Sequence, residues 1–187
     1  MTESEILEIF RQTGALQEGH FILRSGLHSR VYFQCALALQ FMPVVEQFAK
    51  ALLSKIGPME VDTVISPAMG GLVIGQEVAR QLRCRFIFAE KHEGTLQLRR
   101  GFVIRPGERL LIVEDVVTLG GRVCETLQIV KNHQGVPVGI AALVDRSGGA
   151  VKFEVPFWSL LSLKVEAYDP NNLPPDLALV PAVKPGS

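Results

Sequence analysis

Apolar positions recur along this chain in two periods, and the changes from one to the other mark its elements. Ile6, Leu7, Ile9 and Phe10 fall at helical spacing behind Thr2-x-x-Glu5, a capping pattern, and predict a helix that Gly14 ends. Residues 19–34 read as two short strand-like pieces around Ser25-Gly26. Val44, Val45, Phe48, Leu52 and Leu53 predict a second helix, opened by Pro43 and stopped by Gly57-Pro58. From residue 61 short apolar runs alternate with helical stretches. Residues 61–65, 85–89, 110–113 and 136–144 read as core strands, with helices through Ile74, Val78 and Leu82 and through Val123, Leu127 and Val130. Residues 90–94 are polar and turn-like. Residues 95–99 and 101–104 alternate as a hairpin does, and 157–165 gives a last strand. The Pro-rich tail after Asp169 reads as an extended wrap over a neighbour.

This alternation predicts an α/β fold, a parallel sheet flanked by helices and joined by right-handed crossovers. Ligands in such sheets bind beyond the carboxyl ends of the strands. The polar loops at 66–71, 90–94, 114–122 and 145–149 all fall at those ends, which favours one shared site. The segments before residue 60 and after 165 break the alternation. They are expected to form a small hood (about 1–40 plus 165–187) over a core (about 41–164) within a single domain.

The stretch Leu110-Leu-Ile-Val-Glu-Asp-Val-Val-Thr-Leu-Gly-Gly-Arg122 carries the chemistry. It reads as strand, acidic pair, Gly-containing turn and helix. Such a turn exposes backbone N–H groups at a helix N-terminus, a ready anion site, and Gly120 and Gly121 let the backbone come close to a phosphate. It contains neither Gly-Lys-Ser/Thr nor Gly-x-Gly-x-x-Gly. Glu114 and Asp115 would repel a phosphate, so they must serve another part of the same ligand. Vicinal sugar hydroxyls fit, since paired carboxylates accept two O–H hydrogen bonds.

These residues resemble the signature of the type I phosphoribosyltransferases. With Ser66-Pro-Ala-Met-Gly-Gly71, Gly19-His-Phe-x-Leu-Arg-Ser-Gly-x-His-Ser and Asp145-Arg146, nearly the whole chain resembles the orotate phosphoribosyltransferases. That resemblance implies transfer of ribose 5-phosphate from phosphoribosyl pyrophosphate (PRPP) to orotate, giving orotidine 5′-monophosphate and pyrophosphate in pyrimidine biosynthesis. It implies that Glu114 and Asp115 hold the ribose hydroxyls and that Val116, Val117, Thr118, Leu119, Gly120, Gly121 and Arg122 cradle the 5-phosphate. Ala68, Met69, Gly70 and Gly71 would hold pyrophosphate, with Mg²⁺ carried mainly by PRPP and water and no protein metal ligand. Arg146 is expected to fork onto the orotate carboxylate, joined by Thr118, Arg24, Phe33 and Gln34. The segment 90–94 is shorter than in many members. Lys91 is its candidate for pyrophosphate and His92 a weaker one, with Arg99 and Arg100 as supplementary charge. Leu119 and Arg122 replace small polar residues usual in the signature, and Arg122 is a candidate to compensate.

Composition narrows the alternatives. With 19 basic and 19 acidic residues the net charge is zero, which argues against a nucleic-acid or membrane surface. Cys35, Cys84 and Cys124 are odd in number and lack metal-ligand spacing. They fit free thiols in a reducing cytoplasm, and Cys124, beside the site but without an evident base, is not expected to be a nucleophile. His20, His28 and His133 have no identifiable partner. A purine phosphoribosyltransferase would share residues 110–122 without needing Arg146 for a carboxylate, and a PRPP-sensing regulator would keep the fold and bind nucleic acid. Leu177, Leu179 and Val180 need cover, which with the resemblance leads to an expected homodimer in which Lys91 of each chain serves the other's site.

Overall fold

The computed structural model describes residues 1–23 and 25–185. Thr2 caps α1 (Glu3–Gln12): its hydroxyl accepts from the Glu5 N–H while the Glu5 carboxylate accepts from the Thr2 N–H, a complete capping box. Strands β1 (Leu16–Ile22) and β2 (His28–Phe33) pair antiparallel. A short helix that apolar spacing did not foretell, α2 (Cys35–Leu39), precedes α3 (Met42–Ile56), whose Val45, Phe48, Ala49 and Leu52 are buried. Five residues with no polar face cannot show a helical period, so α2 was hidden.

A six-stranded sheet follows, made of β3 (Thr63–Pro67), β4 (Arg85–His92), β5 (Thr95–Leu98), β6 (Arg109–Val117), β7 (Val136–Asp145) and β8 (Phe157–Ser162) in the order β5-β4-β3-β6-β7-β8. All neighbours run parallel except the edge pair β4–β5. Helix α4 (Leu72–Leu82) returns the chain from β3 to β4, and α5 (Gly121–Asn132) from β6 to β7. One side of the sheet packs Val64, Leu111, Val113 and Leu143 against α3 and α4. The other packs Ile65, Ile112 and Ile140 against Val123, Leu127 and Val130 of α5. Burial on both faces explains why these strands read as unbroken apolar runs.

Several elements depart from the pattern-based reading. Residues 95–98 pair with β4 and not with 101–104, because β4 continues through Glu90, Lys91 and His92 and turns only at Glu93-Gly94. The acidic pair lies within β6, since pairing with β7 continues to Val117↔Asp145. The last strand stops at Ser162. The tail forms the short helix α6 (Pro175–Ala178) and folds onto its own β1 and β2 through the bridges Phe21↔Val183 and His28↔Tyr168 and the Arg30–Asp176 ion pair. Leu177 is thereby buried by its own chain, whereas Leu179 and Val180 remain exposed. His20 and His28, unassigned from the sequence, join each other by a hydrogen bond, and the second ring nitrogen of His20 donates to the Val180 carbonyl.

Candidate active site

The sheet order reverses direction between β3 and β6. From β3 the chain leaves over one face into α4, and from β6 over the other into α5, so a crevice opens where their carboxyl ends diverge. The turn after β3 and the turn after β6 meet there. The 68–71 turn passes so close to the acidic pair that a Cβ on Gly70 would lie 2.4 Å from Asp115 Oδ1. One on Gly71 would lie 2.7 Å from the Val113 carbonyl oxygen, so glycine is required at both positions. A cavity of about 430 Å³ lies beside these turns, lined by Ala68, Lys91, Gly94, Leu96, Glu114, Asp115, residues 116–123 and Glu125.

The N-terminus of α5 forms one wall. Its N-cap is Gly120 with φ of 76°, and no side chain caps the helix. A Ser, Thr or Asp at this position would satisfy the first amides internally; glycine leaves them to a ligand, at the positive end of the helix dipole.

Glu114 is 3% exposed, and Oε1 accepts the Asp115 N–H at 3.0 Å. Burial, and then the neighbouring Asp115 charge, push the Glu114 carboxyl well above its ordinary range, while Arg122 pulls it partly back. Asp115 Oδ1 accepts the Val116 N–H at 2.8 Å. The crevice floor is therefore a pair of carboxyl groups able to hydrogen-bond sugar hydroxyls.

Behind this floor, burial pushes the Cys35 thiol up, with Asp115 and Glu114 adding to the shift and Arg146 opposing it. Cys35, buried in the first turn of α2, thus feels charge from both the acidic pair and Arg146. The Arg146 N–H donates to the Val117 carbonyl at 2.8 Å. Its guanidinium is held below its ordinary range by burial, with Tyr32 and Cys35 opposing. Its Nε is buried and has no hydrogen-bond partner among the described residues. Asp145 organises the same turn. Burial alone would raise its carboxyl, but hydrogen bonds from the Ser147 hydroxyl and N–H, the Gly149 N–H and the Ser162 hydroxyl hold it down.

Of the residues expected from the sequence, the structure brings Ala68, Lys91 and 114–122 around one cavity and places Arg146 nearby. Phe33 is different: it is 5% exposed and packs edge-on against Phe10 in the core, so its ring forms no wall for a ligand. The Gln34 N–H is already given to Ala15, and its carbonyl accepts from Leu37. Arg24 lies outside the described residues. Met69 is 79% exposed and does not line the cavity. Arg100 forks onto Glu90, Arg99 approaches the same carboxylate and His92 stands beside Glu93, so none of the three lines the cavity.

Lys91 lines this cavity too. Its pairing opposite Leu96 fixes it in the β4–β5 hairpin, on the wall of its own chain's cavity. Not assigned to the site from the sequence were Tyr32, Cys35, Leu96, Val123 and Glu125. Two had a signal in the sequence: strand alternation opposes Tyr32 to core-facing Phe33, and Glu125 follows Gly121 by four on a helix.

The family model of the phosphoribosyl transferase domain matches residues 38–173. The orotate phosphoribosyltransferase of Thermoanaerobacter sp. (strain X514) is 48% identical over 187 residues, covering 100% of this chain and 98% of that protein. The crystal structure of orotate phosphoribosyltransferase from Aeropyrum pernix superposes with a TM-score of 0.74 at 25% identity, covering 85% of this chain and 94% of that one. Adenine phosphoribosyltransferase from Thermoanaerobacter pseudethanolicus shares the fold at a TM-score of 0.67 and 17% identity, over 83% and 98% of the two chains. Fold alone therefore does not choose the base, but full-length identity does: this chain belongs to the orotate phosphoribosyltransferases, within the phosphoribosyl transferase domain family.

Proposed function

We propose that this chain transfers the ribose 5-phosphate group of PRPP to orotate, forming orotidine 5′-monophosphate and pyrophosphate. The orotate nitrogen N1 gives up its proton to solvent and forms the new bond at the anomeric carbon. The bond from that carbon to the pyrophosphate oxygen breaks, and its electron pair leaves with pyrophosphate. Positive charge grows on the ribose and negative charge on the leaving group, as in other oxocarbenium-like glycosyl transfers. Glu114 and Asp115 hold the ribose hydroxyls beneath the first charge, and the uncapped end of α5 fixes the 5-phosphate. The 68–71 turn and Lys91 hold the pyrophosphate. Carboxylate oxygens and phosphates are the donors that a hard cation prefers, so the site fits Mg²⁺ brought by PRPP, where it would neutralise diphosphate charge.

The observation that carries the choice of orotate is the Arg146 guanidinium, its buried Nε unpaired among the described residues, on a turn whose backbone N–H bonds the Val117 carbonyl at the end of β6. A planar fork so placed matches the orotate carboxylate, a group that purines lack. Arg146→Ala is expected to raise the Michaelis constant for orotate about 30-fold or more, the scale of a lost buried charge pair. The constant for PRPP should stay within about twofold of wild type. Equal weakening of both substrates would contradict the assignment.

No helix among the described residues is long and apolar enough to cross a membrane, and the three cysteines are free. Free thiols support a cytoplasmic enzyme. The exposed apolar groups Leu179, Val180 and Val183 support a homodimer that covers them.

A further inference from the structure

One cation in the cavity is not accounted for by its place on the helix. Arg122 stands in the first turn of α5, where the helix dipole favours anions and disfavours a guanidinium. It is not there to cap the helix. Its Nη1 donates to the Ala68 carbonyl oxygen at 3.0 Å, across 54 positions of sequence, and so ties the turn after β6 to the turn after β3. This is one of five donors on the group, and the others make no hydrogen bond among the described residues. Its charge also lowers the Glu114 carboxyl slightly.

These contacts locate the charge. If the acidic pair grips the ribose and the 68–71 turn receives the pyrophosphate, a cation bonded to Ala68 stands on the turn that meets the acidic pair, on the pyrophosphate side of the bond that breaks. Lys91 and Arg122 are the two cationic side chains lining the cavity, set against Glu114, Asp115 and Glu125. The 5-phosphate already has the uncapped amides of α5, whereas the departing pyrophosphate carries the greater charge and has greater need of a cation.

We propose that the Arg122 side chain binds the leaving pyrophosphate, while the backbone around it serves the 5-phosphate. The assignment rests on the reading of PRPP as the donor. It makes Arg122 a leaving-group residue held ready by its bond to Ala68. A guanidinium can give up one N–H to the carbonyl and still present a second edge to a phosphoryl group.

Calorimetry with the two halves of the donor tests this without any base being present. Pyrophosphate and ribose 5-phosphate, each with Mg²⁺, are titrated into wild type, Arg122→Ser and Arg122→Lys, with melting curves for all three. Arg122→Ser is expected to weaken pyrophosphate about tenfold or more while ribose 5-phosphate changes less than about twofold. Arg122→Lys should restore part of the loss, and the melting temperatures should agree. Greater loss of ribose 5-phosphate would place the side chain in the 5-phosphate site and overturn the proposal. Unchanged binding of both, or equal loss of both with a lowered melting temperature, would make Arg122 a tether between turns only. A wild-type protein that binds neither ligand would instead overturn the PRPP reading itself.

Discussion

Glu114 shows at the scale of one side chain how a functional site opposes stability. A carboxyl that is 3% exposed beside a second carboxylate ionises only against burial and repulsion. The folded protein therefore holds this proton to higher pH than the unfolded chain does. Below the ordinary carboxylate range both states are protonated and nothing is lost. As pH rises through that range toward the elevated folded value, the unfolded state ionises first and stability falls. Glu114→Gln keeps the shape without the titration. It should melt higher than wild type at pH 8, by about 2–4 °C for each kcal/mol recovered, and equally at pH 4. An equal difference at both values would assign the effect to packing. The acidic pair was legible in the sequence because two adjacent carboxylates after an apolar run are unusual. Its protonation was not, since that depends on β6 continuing four residues past Val113 and burying the first of the pair.

Among the elements, those with a full period were legible: α1 through its capping box, α3, α4 and α5 through their apolar faces, and the central strands through unbroken apolar runs. Helix α2 and the true partner of β5 were not, because five apolar residues have no phase and strand pairing is a tertiary fact. Two glycines, Gly121 at the start of α5 and Gly75 within α4, separate stability from binding. Gly121 opens α5 with nothing within 4 Å of where a Cβ would stand, although it lines the cavity. Gly121→Ala should stabilise the helix by about 0.5–1 kcal/mol and yet raise the Michaelis constant for PRPP, because the new methyl group intrudes where the phosphate approaches. Reduced stability with unchanged kinetics would mean that this turn does not receive the ligand. Gly75 behaves in the opposite way: a Cβ there would lie 2.0 Å from Ser66 Oγ and 2.9 Å from Phe86, so its cost falls on packing.

For the whole molecule, the sequence placed the polar loops at one end of the sheet but could not show how the tail returns. His20 meets Val180 and Arg30 meets Asp176 across about 150 residues, and no local pattern encodes such pairs. Nor could it place Lys91 opposite Leu96, because that depends on the β4–β5 register. In the structure Lys91 and Asp115 line one cavity of one chain. Heterodimers of Lys91→Ala and Asp115→Asn chains should then carry one lesion in each site and recover no activity. Recovery of part of the wild-type rate would show that Lys91 crosses to a partner. The claim on which all of this rests is the choice of acceptor, and the most direct measurement is turnover of PRPP with Mg²⁺ and either orotate or hypoxanthine. The account predicts loss of orotate with stoichiometric orotidine 5′-monophosphate and pyrophosphate, and no inosine 5′-monophosphate from hypoxanthine. Turnover of hypoxanthine without orotate, or of neither, would contradict it.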